Sequence, residues 1–376
     1  MEGIVGVKSR LTWAVNISVL LLVVLWTIPT FGLLVSSFRD GDQLLNSGWW
    51  ASLTASEQNI IARADPQTEQ PAGDLFVMEG NVFESGEGTV TAFGTTSRNP
   101  TAFAPGTVGE MSKGRTLTVD ASGNFKLTSP EETTGRGPRI FISSIEPPRF
   151  TSENYSNVLF SQGIGKAFLN TFTVTIPATI IPILIAAFAA YALAWMEFPG
   201  RALLIAAVVG LLVVPLQLAL IPLLKMHNTL GIGKGYLGIW LAHTGFGLPL
   251  AIYLLRNYMV GLPREIIESA RVDGATDFEI FRKIILPLSF PALASFAIFQ
   301  FLWTWNDLLV AKVFLGTGDD QKVMTGQIVE LLGSRGGNWE ILTAAAFVSM
   351  FVPLVVFFAM QKYLVRGLLA GSVKGG

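Results

Sequence analysis

Six long, mostly apolar runs punctuate this chain, and they decide its solvent before any other feature is weighed. They extend from Leu11 to Val35, Ala167 to Met196, Ala202 to Leu224, Leu237 to Met259, Leu288 to Val313 and Leu342 to Leu364. Each exceeds the ~18 residues with which a helix crosses roughly 30 Å of hydrocarbon. Composition agrees, since 51% apolar and 14% charged residues, with a mean hydropathy of +0.51, lie above the average for water-soluble domains. The first run is too long for a signal peptide, and Trp26-Thr27-Ile28-Pro29 lacks the small residues of a cleavage site, so it reads as a membrane anchor.

Loop charges orient the spans. With both termini in the cytoplasm, that side carries Lys8, Arg10, Arg201, Arg256, Arg264, Arg271, Arg282, Lys283, Lys362, Arg366 and Lys374, against Lys225, Lys234, Lys312, Lys322 and Arg335 opposite. The expected fold is therefore an all-α polytopic membrane protein of six transmembrane helices, with a small β-rich extracytoplasmic insertion between helices 1 and 2.

That insertion occupies residues 39–149 and is rich in Gly, Ser, Thr and charge, too polar for the bilayer. Asp74 to Phe83, Thr89 to Thr95, Arg115 to Leu127 and Arg139 to Ile145 have the alternating or β-branched character of strands, with a tight turn at Ala121-Ser122-Gly123-Asn124. A looser arm through Trp49, Trp50 and Ala51 to Pro71 precedes them. A flexible loop and a dock for a solute-binding protein are both open readings. Residues 1–38 form the tail and first span, and 150–376 the core that carries the other five.

Several function classes drop out. A net charge of −1 supplies no basic stripe for nucleic acid. The absence of Cys removes disulfides and thiolate chemistry. No Gly-x4-Gly-Lys-Ser/Thr loop is present, so ATP is not expected on this chain. Gly233, Gly235 and Gly238 spell Gly-x-Gly-x-x-Gly but enter a membrane run with no strand before them, and read as a turn. His227 and His243, the two histidines, are too far apart in sequence for a His-Glu-x-x-His metal pair, and no metal site is expected.

The polar segment at 260–287 is the most specific feature. Pro263 suits a helix start; Ile266, Ile267 and Ala270 fall on one side of that helix, and Arg264, Glu268 and Arg271 on others. Gly274 breaks it. Thr276-Asp277-Phe278-Glu279 has the form of a capping box that opens a second helix, whose Phe278, Phe281 and Ile285 share a face until Pro287 ends it. Two short amphipathic helices joined at a glycine would suit a groove on a partner; lying flat on lipid headgroups is the alternative that composition allows.

Glu268, Ser269 and Ala270, then Gly274 after three residues, then Ile284, Leu286 and Pro287 after nine more, match the Glu-Ala-Ala signature of ABC-importer permeases, the departure being Ser269 for Ala. The chain thus resembles that family, the binding-protein-dependent transport system inner membrane components. Pro147-Pro148-Arg149-Phe150, Glu153-Asn154-Tyr155, Phe198-Pro199-Gly200-Arg201, Trp305-Asn306-Asp307 and the tail from Tyr363 to Gly375 are similar to its maltose-type carbohydrate branch, specifically the smaller of two permeases. The large insertion resembles that of α-glucoside importer permeases. Cargo of another kind, such as glycerol phosphate or a polyol, stays open, as does an ion-driven secondary transporter, although that class would carry more midplane ionisable residues.

The resemblance implies a type I ABC importer fold in a bacterial or archaeal cytoplasmic membrane, working by alternating access. Its partners would be a second permease, making a heterodimer, two ATPase subunits that hold ATP and Mg, and an extracytoplasmic solute-binding protein. No cofactor would sit on this chain, which would not itself be an enzyme. Coupling to the ATPase falls to Glu268, Ser269, Ala270, Asp273, Gly274, Ala275, Phe278, Phe281, Ile284, Leu286 and Pro287, with Glu268 reaching an ATPase Arg, and the tail at 365–376 would reach between the ATPase domains. For a sugar pathway, stacking faces and hydrogen-bonding groups are needed. Trp303, Trp305, Asn306, Asp307 and Gln217 offer them, with interfacial placement the alternative for the Trp and Asp side chains. Asn170, Thr171, Thr173 and Gln300 read as contacts between helices.

Overall fold

The computed structural model describes residues 10–83, 87–316, 318–334 and 337–369. They divide into two compact units, Met1–Asn154 with Gly337–Ala344, and Tyr155–Gly336 with Ala345–Gly376. The tail residues beyond Leu369, and the side chains from 365 onward, lie outside the described residues, so the expected reach of the tail toward an ATPase is not addressed by them.

The first unit opens with α1 (Arg10–Ser37), an apolar helix exposed along most of its length, and α2 (Gly41–Asn46). Among the described residues eight strands follow: β1 (Ser56–Arg63), β2 (Gln70–Ala72), β3 (Leu75–Asn81), β4 (Thr89–Gly94), β5 (Val108–Glu110), β6 (Thr116–Val119), β7 (Asn124–Ser129) and β8 (Arg139–Glu146). They form two antiparallel sheets, ordered β1-β8-β4 and β2-β3-β7-β6-β5. Met78, Phe93, Leu117, Leu127, Ile140 and Ile142 fill the shared core, contributed by alternate positions of strands in both sheets. All four strand segments expected from the sequence appear here. The turn does too: Asp120 accepts from Ser122 Oγ and from the amide and side chain of Asn124, while Gly123 takes φ +84°. Those donors, the Asn124 side chain foremost, hold the Asp120 carboxyl below its usual pKa.

The looser arm is a correction. It contains a 3-10 turn at Trp49–Ala51 and the full eight-residue β1, whose register with β8 runs from Ser56↔Glu146 to Arg63↔Arg139. Ser-Glu-Gln-Asn carries little strand propensity, so β1 is held by pairing with its neighbour, a contact invisible to local patterning. The root of the insertion is closed by hydrogen bonds. Asn154 Nδ2 donates to the carbonyls of Ser37 and Arg39, and Gln43 both donates to Pro147 O and accepts from Arg149 N–H. The buried Arg39 guanidinium donates to Gln43 O and to Ser47 O and Oγ, and burial lowers its pKa.

The second unit is helical. Its elements are most of α3 (Glu153–Phe160), α4 (Ile164–Trp195), α5 (Arg201–Leu211), α6 (Leu216–Thr229), α7 (Tyr236–Val260), α8 (Arg264–Val272), α9 (Asp277–Ile280), a π-helical turn (Phe281–Ile285), α10 (Leu286–Leu288), α11 (Phe290–Trp305), α12 (Leu309–Phe314), α13 (Met324–Ser334) and α14 (Trp339–Leu369) from Ala345 onward. Among the described residues four helical stretches are long and apolar enough to cross a membrane unbroken: Leu11–Ser37, Ile164–Trp195, Tyr236–Val260 and Trp339–Leu364. Two bent pairs, Arg201–Leu211 with Leu216–Thr229 and Asp277–Leu288 with Phe290–Trp305, bring the total to six if each counts as one span.

The third and fifth runs both depart from the straight helices expected. The third run bends by 108°, where Pro215 disfavours helical backbone at Val214 and cannot donate a hydrogen bond. The fifth ends at Trp305 rather than continuing to Val313, because the Asp307 carboxylate takes up the free amides of Val310 and Ala311 and so starts α12 afresh. One core joins α4, α7, α8, α11 and the π turn through Ala187, Ala190, Leu255, Ile267, Phe281 and Phe296.

Candidate coupling loop and membrane cleft

Within the 260–287 segment the local signals translate into the expected geometry. Pro263 N-caps α8, Gly274 takes φ +83°, and the capping box is complete: Thr276 Oγ1 accepts from Glu279 N–H, and Glu279 accepts from Thr276 N–H. The Thr276 amide, Lys283 Nζ and the Thr276 hydroxyl together pull the exposed Glu279 carboxyl down to about 2. A Cβ built on Gly274 meets no atom within 4 Å, so its glycine serves backbone conformation and not packing.

The faces divide differently from the helical-wheel reading. Ile267 and Ala270 are buried as expected, but Ile266 is exposed. On the second helix Phe281 and Ile285 enter the core, whereas Phe278 is 60% exposed and does not share their face. Phe188 and Tyr191 of α4 cover Phe281, and the π turn sets Phe278 apart from Ile285. Pro287 has no N–H and crowds the carbonyl of Lys283, and Leu286 N–H donates to Phe281 O, which rotates the residues before the turn relative to those after it. The helix consequently passes through Pro287 and stops only at Ser289, correcting the expected termination at Pro287. Glu268, Ser269, Asp273 and Pro287 are exposed, and Ala275, Ile284 and Leu286 are half-buried. Glu268 pairs with Arg264 at 3.0 Å on the open surface. Val272, passed over in the sequence, is 87% exposed at the tip.

A tether to α4 was equally invisible. Tyr191 donates its hydroxyl to Asp277 Oδ1 at 3.2 Å; Arg271 reaches Asp277 Oδ1 at 3.4 Å and Trp195 O at 3.3 Å; Trp195 Nε1 donates to Met259 O at 3.1 Å. Arg201 closes the end of α4 by donating to the carbonyls of Leu193, Ala194 and Met196. The available signal was an aromatic pair ending one apolar run opposite a charged loop, too common to single out.

The cleft residues scatter. Trp303 lines an apolar cavity of about 810 Å³ with Gln300, between the α5–α6 bend, α7 and α11. Gln217 is exposed on α6 and outside that lining. Trp305 is a correction to the pathway reading: it is buried among Phe168, Phe172 and Phe301 and donates Nε1 to Ser349 O, which makes it a packing residue. Asn306 donates to Leu302 O at the helix end. Asp307 lies 3.8 Å from His243 Nε2 while capping α12, and Trp303 stands edge-on to the same imidazole. Gln300 does bridge helices, donating to Ala178 O at 3.1 Å and His243 O at 3.5 Å, at a point where a Cβ on Gly247 would come within 2.6 Å of its amide. Asn170 ties α4 to the carbonyls of Asp319 and Lys322, Thr171 accepts from Met324 N–H, and Thr173 donates its hydroxyl to Leu169 O within α4 while its carbonyl accepts from Trp240 Nε1 on α7. No group of three or more His, Cys, Asp or Glu placed to hold a metal occurs among the described residues.

Comparison with known proteins adds the family. The model of the binding-protein-dependent transport system inner membrane component matches residues 167–369. The chain is 66% identical to the alpha-glucoside transport system permease protein AglG of Rhizobium meliloti (strain 1021), covering 98% of this chain and 99% of that one. It is 60% identical to the osmoprotective compounds uptake permease protein GgtD of Synechocystis sp., over 62% of this chain and 79% of that one. A chain of a bacterial ABC transporter involved in the import of the acidic polysaccharide alginate overlaps at a TM-score of 0.49 and 23% identity, covering 58% of this chain and 81% of that chain. A family match across more than half the chain, joined to end-to-end similarity to a permease, establishes that this chain belongs to the binding-protein-dependent transport system inner membrane components.

Proposed function

We propose that the chain is one of two permeases in an ATP-driven carbohydrate importer, with α-glucosides as its cargo, and that the knuckle at 264–287 receives force from an ATPase subunit. The observation that carries this reading is the knuckle itself: exposed Glu268, Val272 and Phe278 stand on a base whose Ile267, Ala270, Ile280 and Phe281 belong to the core of α4, α7 and α11. Apolar anchors beside charged edges suit a protein groove, and a push on such a base displaces several packed helices together. ATP and Mg would be held by the two ATPase chains. A second permease would complete the pathway, a solute-binding protein would deliver the sugar, and both termini would face the cytoplasm. The cargo assignment draws on the full-length similarity to an alpha-glucoside permease, which extends through the insertion.

A mild-detergent pull-down of the tagged chain tests the assembly. Recovery of an ATPase and a second permease, both weakened by Glu268→Ala, is the expected result; a chain that emerges alone under conditions preserving other complexes points to a secondary transporter. Uptake of labelled maltose, set against glycerol phosphate and a polyol, tests the cargo. The relative named for osmoprotective compounds makes the polyol the informative competitor.

A further inference from the structure

The start of the insertion doubles back on the helix it leaves. Trp49 packs edge-on against Phe31 with ring centroids 6.1 Å apart, and α1 accommodates it at Gly32, where a Cβ would come within 2.6 Å of the indole Nε1. Trp50 stands edge-on to Trp49 at 6.1 Å and is 78% exposed; Leu53, just past the turn, is 81% exposed. From Gln43 to Ser56 the chain carries no charged residue.

The depth of this turn follows from helix geometry. The 28 residues of α1 rise about 42 Å, some 12 Å beyond a ~30 Å hydrocarbon core. Shared between the two ends, that excess places the hydrocarbon boundary about four residues before Ser37, level with Leu33. Phe31 and Gly32 therefore sit at the boundary, and Trp49, lying on them, is held there as well. Indole rings favour this layer, where an apolar face and an N–H donor are both accommodated. An uncharged stretch enters it without desolvating an ion.

We propose that Trp50 and Leu53 insert into the lipid headgroup layer beside the end of α1, with Trp49 as the wedge that holds the turn at that depth, so that the insertion is seated on the bilayer at its root. The occupant of this exposed apolar surface is lipid, because Trp49 holds it beside Phe31 and Gly32 at the depth of the headgroup layer and the stretch carries no charge. The proposal rests on α1 being a membrane span.

The chain has no cysteine, so a single introduced thiol can be spin-labelled without background from it. Trp50→Cys and Leu53→Cys, each in the full-length chain with its copurifying subunits in phosphatidylcholine–phosphatidylglycerol nanodiscs, are compared for collision with oxygen and with a water-soluble nickel chelate. Ser122→Cys, in the polar β6–β7 turn, is the water reference, and Leu21→Cys marks the middle of α1. Oxygen collisions exceeding nickel collisions at 50 and 53, with the reverse at 122, support the seat. Nickel access at 50 and 53 equal to that at 122 overturns it, as does low access to both reagents, which means protein covers them. High nickel access at 21 removes the span itself, a failure of the underlying reading that is distinct from a failure of the seat.

Discussion

Tyr191, near the end of α4, donates its hydroxyl to Asp277 Oδ1, the acid that opens the second helix of the knuckle at 264–287. Arg271 shares that oxygen from the first helix, so one carboxylate joins both halves of the knuckle to a membrane helix. Tyr191→Phe removes one hydrogen bond of about 1 kcal/mol. We expect normal assembly with ATPase activity retained, but a lower ratio of sugar transported to ATP hydrolysed, measured in proteoliposomes.

Gly274 isolates the contribution of backbone conformation. Its φ of +83° costs an ordinary L residue about 1–2 kcal/mol, and no neighbour opposes a side chain there. Gly274→Val should abolish ATP-driven uptake, whereas Gly274→Asn, which tolerates the left-handed region, should retain much of it. Full uptake by Gly274→Val would show that the turn is dispensable.

Phe278 and Phe281 separate recognition from stability. Phe281→Ala empties a buried site and should destabilise the chain by about 3–5 kcal/mol, seen as a lowered melting temperature in detergent. Phe278→Ala should leave stability within about 0.5 kcal/mol yet reduce recovery of the ATPase in a pull-down.

Trp303 and Trp305 make the same distinction in the membrane. Trp305→Ala should cost about 3–5 kcal/mol because the ring is enclosed and its N–H is satisfied by Ser349. Trp303→Ala opens onto the cavity and should change the apparent affinity for sugar in uptake assays with the melting temperature nearly unchanged.

Glu279 titrates at about 2, below its ordinary value of 4.5. Its depressed pKa means that the capping interaction is fully present above the unfolded value and is lost as pH falls through about 2. Lys283→Ala removes one of the groups that hold it down, so the midpoint of the Glu279 carboxyl carbon shift, followed by NMR, should move upward.

Features that depend on near neighbours in the chain were legible from residue order. The apolar runs require only length and composition. The capping box at Thr276 and Glu279, the turn at Gly274 and the β6–β7 turn are each closed within a few residues by groups whose donors and acceptors are known in advance. The Glu-Ala-Ala pattern identified the family for the same reason, as a short fixed spacing.

Tertiary structure decided what distance along the chain conceals. Phe278 and Phe281 have the same side chain three residues apart, and only the packing of α4 on Phe281 determines which is buried. β1 exists because β8, far along the chain, offers it an edge. Trp303 and Trp305 look interchangeable in sequence, yet one lines a cavity and the other anchors α14. The physical reason is common to all three. Local hydrogen bonds and hydrophobic length are properties of a segment, whereas burial and strand pairing are properties of the partner surface, which does not exist until the chain has folded.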